Sequence, residues 1–199
     1  MRQLVMFNRV SADGYFASES GDLSWAVPDD AIDRSGAERM PKFDAMLFGR
    51  RTYDAFESFW PNALGNAATA EDPHREGRRT SALREMAVWI NETPKFVFSK
   101  TRKVVNWHNS RLFSEFDPKQ VQALKEQPGK NLIIFGSGSI VSQLTRHGLI
   151  DEYQFVVGPL LLGAGRLLIQ GLPESTRLEL LEAKPYDSGN VVLRYARRS

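Results

Sequence analysis

The stretch from Leu132 to Val157 constrains this chain more than any other. Leu132-Ile133-Ile134-Phe135 is an apolar run of strand length, Gly136-Ser137-Gly138-Ser139 is a glycine-rich turn, Ile140–His147 is spaced as a helix, and Asp151–Val157 is strand-like again. Strand, helix and strand in such close succession form a crossover unit. Its two strands pair in parallel and its connection is right-handed.

The rest of the sequence supplies partners for that unit. Gln3–Phe7, Ala45–Phe48 and Lys95–Phe98 read as short apolar strands, with a turn at Ser11-Ala12-Asp13-Gly14. Arg51–Phe59, Ser81–Ile90 and Asp117–Gln127 read as helices, the last with Asp117-Pro118 at its start and Pro128-Gly129 beyond its end. Pro28-Asp29-Asp30 opens another helix, its acids lying at the positive end of the dipole. Gly65–Gly77 has few apolar residues and reads as an exposed loop. Leu178–Ala183 and Val191–Ala196, joined around Asp187-Ser188-Gly189, read as an antiparallel hairpin. The pattern predicts one α/β domain over residues 1–199, with a mostly parallel central sheet and an antiparallel C-terminal hairpin.

Composition removes several chemistries. A chain of 199 residues buries about 70% of its unfolded surface and needs no staple. With no cysteine, thiolate nucleophiles, disulfides, Cys-ligated zinc and iron–sulfur clusters are excluded. A net charge of +2, with basic residues scattered apart from clusters at Arg75–Arg84 and Arg194–Arg198, argues against nucleic acid as a partner. The N-terminal apolar run is too short for a signal peptide. The longest uncharged stretch, Asn131–Thr145, falls short of the ~20 apolar residues of a membrane span. A cytoplasmic protein acting on a small molecule is expected.

Three predicted strands end in sequences suited to phosphate. Phe48 runs into Gly49-Arg50-Arg51-Thr52, which combines a flexible glycine, cations and the free amides of a helix N-terminus. Phe98 runs into Ser99-Lys100-Thr101, and Phe135 into Gly136-Ser137-Gly138-Ser139, whose glycines let amides approach an anion. Each alone is ordinary turn chemistry. Together at one end of a parallel sheet they suit a nucleotide with a pyrophosphate and an additional 2′-phosphate.

Other motifs fail. Val141 stands where a dinucleotide fingerprint needs its third small residue, and Ala164-Gly165 stands where a P-loop needs Lys and Ser or Thr. His74, His108 and His147 are far apart, no Gly-x-Ser-x-Gly elbow exists, and no metal site is expected. Among acids, Asp30 beside Trp25 is the candidate proton donor or substrate anchor. The competing role for the acids at this helix start is capping. Asp13 is a second candidate, better suited to shaping the turn before Gly14.

Taken in order, these segments resemble the dihydrofolate reductase superfamily. The nearest branch is the reductase (C-terminal) domain of the bifunctional riboflavin-biosynthesis deaminase–reductase. The resemblance rests on Ser11-Ala12-Asp13-Gly14-Tyr15-Phe16, Gly21-Asp22-Leu23-Ser24-Trp25, Gly49-Arg50-Arg51-Thr52-Tyr53 and Ser99-Lys100-Thr101. It continues through Gly136–Ser139, Gly148-Leu149-Ile150-Asp151-Glu152 and Pro159-Leu160-Leu161-Leu162-Gly163-Ala164-Gly165. It implies a three-layer fold, a homodimer, and NADPH as cofactor. Gly49–Thr52 and Gly136–Ser139 would hold the pyrophosphate, and Ser99-Lys100-Thr101 would lie near the 2′-phosphate. Trp25 would lie by the nicotinamide, with the Asp13-Gly14 loop closing over it. Trp25-Ala26-Val27-Pro28-Asp29-Asp30 is similar to the Trp-x-Leu-Pro-x-Asp of bacterial dihydrofolate reductases, which places Asp30 at the pteridine-binding acid.

Two departures concern the substrate. Phe135 stands where riboflavin reductases commonly carry a substrate-touching glutamate, and their Asp-Asp-Pro-x-Leu-Thr-x-Arg segment is echoed only by Glu71-Asp72-Pro73-His74. The implied activity is NADPH-dependent reduction of a C=N or C=O bond in a pteridine- or pyrimidine-like substrate. Alternatives are reduction of the ribosylamino group of an aminouracil phosphate and, in another class, nucleotide binding without catalysis.

Overall fold

Side chains leave the same strands in opposite directions, and each set meets its own pair of helices. The computed structural model describes residues 1–65 and 81–198. The Glu71–His74 segment, most of the loop expected over Gly65–Gly77 and most of the Arg75–Arg84 cluster lie outside the described residues. In chain order the elements are β1 (Leu4–Ser11), β2 (Tyr15–Ala17), α1 (Asp30–Arg39), β3 (Phe43–Gly49) and α2 (Arg50–Gly65). They continue with α3 (Ser81–Glu92), β4 (Lys95–Phe98), β5 (Ser110–Phe113), α4 (Pro118–Glu126), β6 (Asn131–Phe135) and α5 (Gly138–Arg146). β7 (Glu152–Gly158), β8 (Arg166–Leu167), β9 (Leu178–Pro185) and β10 (Val191–Arg197) complete them.

Eight strands form one sheet in the order β5-β4-β3-β6-β1-β7-β10-β9. The first six are mutually parallel; β10 runs antiparallel to both β7 and β9. The expected C-terminal hairpin therefore extends the sheet rather than standing apart from it. On one face Leu4, Met6, Leu47, Leu132 and Ile134 pack with Val121 and Leu124 of α4 and Ile140, Val141 and Leu144 of α5. On the other, Val5, Met46, Phe48, Val97 and Ile133 pack with Tyr53, Trp60 and Ala63 of α2 and Ala87 and Ile90 of α3. That alternation along strands apolar on both sides makes three layers.

The helix starts follow local chemistry. The Asp29 carboxylate accepts the Ala31 and Ile32 amides at 2.9 and 3.1 Å and caps α1. Asp117 caps α4 at the Lys119 amide, ahead of Pro118.

Four strands depart most from the sequence expectation. β1 runs to Ser11, because β7 stays paired with it up to Ser11↔Gly158 and makes room for the polar Asn8 and Arg9. β5 is four residues long and half-exposed, without the alternation that marks a strand. β2 and β8 form a separate two-stranded ribbon, whose short strands carry no periodic signal.

Candidate active site

Because β1, β3, β4, β6 and β7 are parallel, the segments that follow them emerge at one end of the sheet. β6 leaves β1 after Phe7↔Phe135, whereas β7 continues beside β1 to Gly158. The neighbours of β1 thus part over Asn8–Ser11. Chain connections also diverge here, since β1 leads to β3 on one side and β6 leads across to β7 on the other. Such switch points at carboxyl ends of strands are where open α/β sheets bind ligands.

The turns after β3 and β6 are locked together. The Gly49 amide donates to Ser137 Oγ at 2.9 Å, and the Ser137 amide donates to Thr52 Oγ1 at 2.8 Å. Gly136 and Ser137 both hold left-handed backbone, with φ of 51° and 57°. A side chain at Gly136 would stand 2.6 Å from Thr52 Oγ1, so glycine is required by space as well as by conformation. Ser137 is the residue before α5, yet its hydroxyl caps nothing in α5. The Ile140 and Val141 amides reach the Ser137 carbonyl instead. The amides of Gly138 and Ser139 occupy the first turn, where no intrahelical acceptor exists, and no side chain caps them. Gly138 lies under the β2–β8 ribbon, where a Cβ would come within 3.0 Å of the Leu168 carbonyl and the Phe16 ring. Ser139 is exposed.

Beside these amides stand cations. Arg50 and Arg51 open α2 and are exposed, as are Lys100 and Thr101 after β4. The pairing Gly49↔Phe98 sets Arg50 next to Ser99. Ser99 is buried, and its hydroxyl accepts the amides of Thr101 and Arg102 at 3.3 and 2.9 Å, which shapes the turn and presents Lys100 outward.

Opposite, Asp13 clasps two loops. It accepts the Ser11 hydroxyl at 2.5 Å and the Leu162 and Gly163 amides at 3.1 and 2.7 Å. These donors, the Ser11 hydroxyl first, hold its carboxyl below the usual range. Gly14 follows with φ 90° and open space where a side chain would be. The Trp25 ring lies across the end of β7, 3.6 Å from where a Gly158 side chain would begin. Its Nε1 is buried and has no partner. An indole N–H without an acceptor is costly unless a ligand or water supplies one.

Asp30 is the first residue of α1 and is exposed, while capping falls to Asp29. Burial pushes the Asp29 carboxyl up, but hydrogen bonds from Ser188, Ile32 and Ala31 outweigh it and leave it lowered. The structure therefore gathers Gly49–Thr52, Ser99–Thr101 and Gly136–Ser139 along one run, with Asp13, Gly14 and Trp25 on the β7 side and Asp30 at the mouth of α1.

Sequence reasoning missed Asn8, Arg9 and Arg102. Asn8 is buried and approaches the Gly136 carbonyl at 3.4 Å, and Arg9 pairs with Asp33 of α1 at 3.0 Å. Both were hidden by ending β1 at Phe7. Arg102 pairs with Asp54 and Glu57 of α2, and the basic run Lys100–Lys103 was its available signal. Phe135 is buried against Phe7 and Phe56, with ring centroids 6.0 and 5.7 Å from its own, so β6 ends on an apolar ring. A groove of about 680 Å³ lined by Glu57, Pro61, Trp107 and His108 lies away from these turns, beside the residues that precede β4 and β5. Among the described residues no group of three or more His, Asp or Glu is placed to hold a metal, and no helix is long and apolar enough to cross a membrane.

Known proteins are similar to this chain in sequence and in fold. The chain is 25% identical to Bacillus subtilis YyaP over 195 residues, covering 98% of this chain and 94% of that protein. A protein of Shewanella sp. PV-4 assigned to riboflavin biosynthesis superposes with a TM-score of 0.74 at 22% identity, covering 99% of each chain. Dihydrofolate reductase from Enterococcus faecalis superposes with a TM-score of 0.61 at 12% identity, covering 99% of this chain and 97% of that one, and so shares the fold. The family model described as the RibD C-terminal domain matches residues 2–192, and the chain belongs to that family.

Proposed function

We propose that the protein is an NADPH-dependent reductase acting on a C=N or C=O bond of a pteridine- or pyrimidine-like small molecule. The observation that carries this reading is the uncapped first turn of α5, tied through Ser137 and Thr52 to the start of α2 and flanked by Arg50, Arg51 and Lys100. Paired helix N-termini with adjacent cations suit a pyrophosphate. The residues present thus fit such a nucleotide, and the unpartnered Trp25 Nε1 marks a second point where a ligand acceptor is missing. Family membership supports the reductase class, and the Enterococcus faecalis neighbour is complexed with NADP(H).

In this reading Gly138 and Ser139 amides, Arg50 and Arg51 bind the pyrophosphate, and Ser99, Lys100 and Thr101 face the 2′-phosphate. Trp25 and the Asp13-Gly14 loop border the reacting ring and exclude water. The bound nicotinamide supplies the hydride; the chain's part is positioning, an effect worth several kcal/mol in general. Asp30, directly or through water, delivers the proton to the substrate heteroatom.

Phe135 favours a general heterocycle over the aminouracil phosphate, because an apolar ring cannot replace a carboxylate that hydrogen-bonds substrate. NADPH oxidation assayed with dihydrofolate and with the aminouracil phosphate separates these. Turnover of neither, together with nucleotide binding, points to another heterocycle; absence of nucleotide binding removes the reading. The exposed Leu180 and Leu181 on the edge strand β9 support the homodimer implied by the resemblance, which a solution mass would check.

A further inference from the structure

The turn after β4 is fastened to α2 through Arg102. Arg102 pairs with both Asp54 and Glu57, its Nε donates to the Val104 carbonyl at 2.7 Å, and its guanidinium lies 4.7 Å from the centre of the Tyr53 ring. Glu57, the Val104 carbonyl and the Tyr53 ring hold Arg102 besides Asp54. Asp54 has a second bond of its own: its other oxygen takes Arg50 at 3.2 Å. Arg50 is the cation that opens α2 beside Ser99, at the end of the sheet where the phosphates are proposed to lie. The Asp54 carboxylate draws it back along the helix by one turn. An exposed pair at this spacing is weak, so a bound phosphate can break it.

Resting on the reading of this end of the sheet as a nucleotide site, we infer that Asp54 is a tuning residue that competes with the bound pyrophosphate for Arg50 and so limits affinity for the nucleotide. The physical basis is simple. Nucleotide binding must release Arg50 from Asp54, and the phosphate then feels a fixed negative charge one turn away. Both effects oppose binding of the pyrophosphate, which nucleotides with and without the 2′-phosphate share. Arg102 acts as the spacer that keeps Asp54 occupied on its far side and the Ser99–Thr101 turn in place.

The test is tryptophan-fluorescence titration of wild type, Asp54→Asn and Glu57→Gln with NADPH and with NADH at low and high ionic strength. Removing one charge at this range is expected to tighten NADPH by about three- to tenfold. NADH, which carries the same pyrophosphate, should tighten by a similar factor. The Asp54→Asn gain should shrink at high salt, and Glu57→Gln, a further turn from the site, should leave both nucleotides near wild type. In an Arg50→Ala background Asp54→Asn should lose most of its effect, which a merely structural role for Asp54 would not produce. Unchanged or weaker binding of the nucleotides in Asp54→Asn, or a gain that persists in full in the Arg50→Ala background, overturns the inference while leaving the nucleotide site standing. A wild-type protein that binds neither nucleotide overturns the functional reading and this inference with it.

Discussion

Gly136→Ala is the substitution that probes the heart of the site. Alanine must adopt φ near 51°, where L-residues pay about 1–2 kcal/mol. Its Cβ would also stand 2.6 Å from Thr52 Oγ1 and 2.9 Å from Thr52 Cγ2. Relief requires moving Thr52 away from the Ser137 amide or shifting the start of α5, and overpacking of this kind costs about 1–3 kcal/mol. The loss should total about 2–5 kcal/mol, or roughly 4–20 °C in Tm for a chain of this size. Urea unfolding followed by circular dichroism measures it. Thr52→Ala gives up the acceptor for the Ser137 amide, a loss of about 1 kcal/mol at a half-buried site, but makes room for the new methyl. The double variant should therefore be more stable than the two separate losses predict, by about 1–2 kcal/mol of coupling. A Gly136→Ala protein within about 0.5 kcal/mol of wild type, the scatter of an unremarkable surface substitution, or strict additivity with Thr52→Ala, would refute the reasoning.

Two further outcomes are expected. The Lys95 ammonium is fully buried on the carbonyls of Asn91, Thr93 and His108 and over the Trp107 ring, and burial lowers its pKa to about 8. The unfolded chain keeps that proton until about 10.4, so it binds more protons than the native state between these values, and stability should rise with pH from about 8 towards 10. Lys95→Met should flatten this slope in urea titrations across the same range. Asp30→Asn should lower turnover by about 10²–10⁴-fold, the range for general acids, while leaving NADPH affinity near wild type. Equal loss of both in steady-state and binding measurements would remove Asp30 from the proton-transfer role.

Much of the architecture could be read because it depends on local signals. The crossover from β6 through α5 to β7 carries a periodicity change and a glycine turn, and strands buried on both faces declare themselves by continuous apolar runs. β1 was cut short at Phe7 because Asn8 and Arg9 look like strand terminators. Their tolerance depends on Asp33 and the Gly136 carbonyl, which approach from elsewhere in the chain. The same holds for the site. That Gly49, Ser99 and Gly136 share one end of the sheet followed from parallel pairing, whereas the inward turn of the Ser137 hydroxyl towards Gly49 depends on a left-handed residue that no local signal marks. The choice between Asp29 and Asp30 as the α1 cap is a matter of one residue, finer than sequence patterns resolve. Arg102 reaches its partners across 45 to 48 positions of chain, a distance only folding closes.

The central claim is that this end of the sheet reads a nucleotide carrying a 2′-phosphate. Its most direct test is parallel titration of the wild-type protein with NADPH and NADH, following quenching of the four tryptophans. Tight NADPH binding is expected, with NADH weaker by at least about tenfold, which is the equivalent of 1.4 kcal/mol, and most of the quenching lost in Trp25→Phe. Equal affinities for the two would contradict the role given to Ser99, Lys100 and Thr101, and binding of neither would contradict the account as a whole.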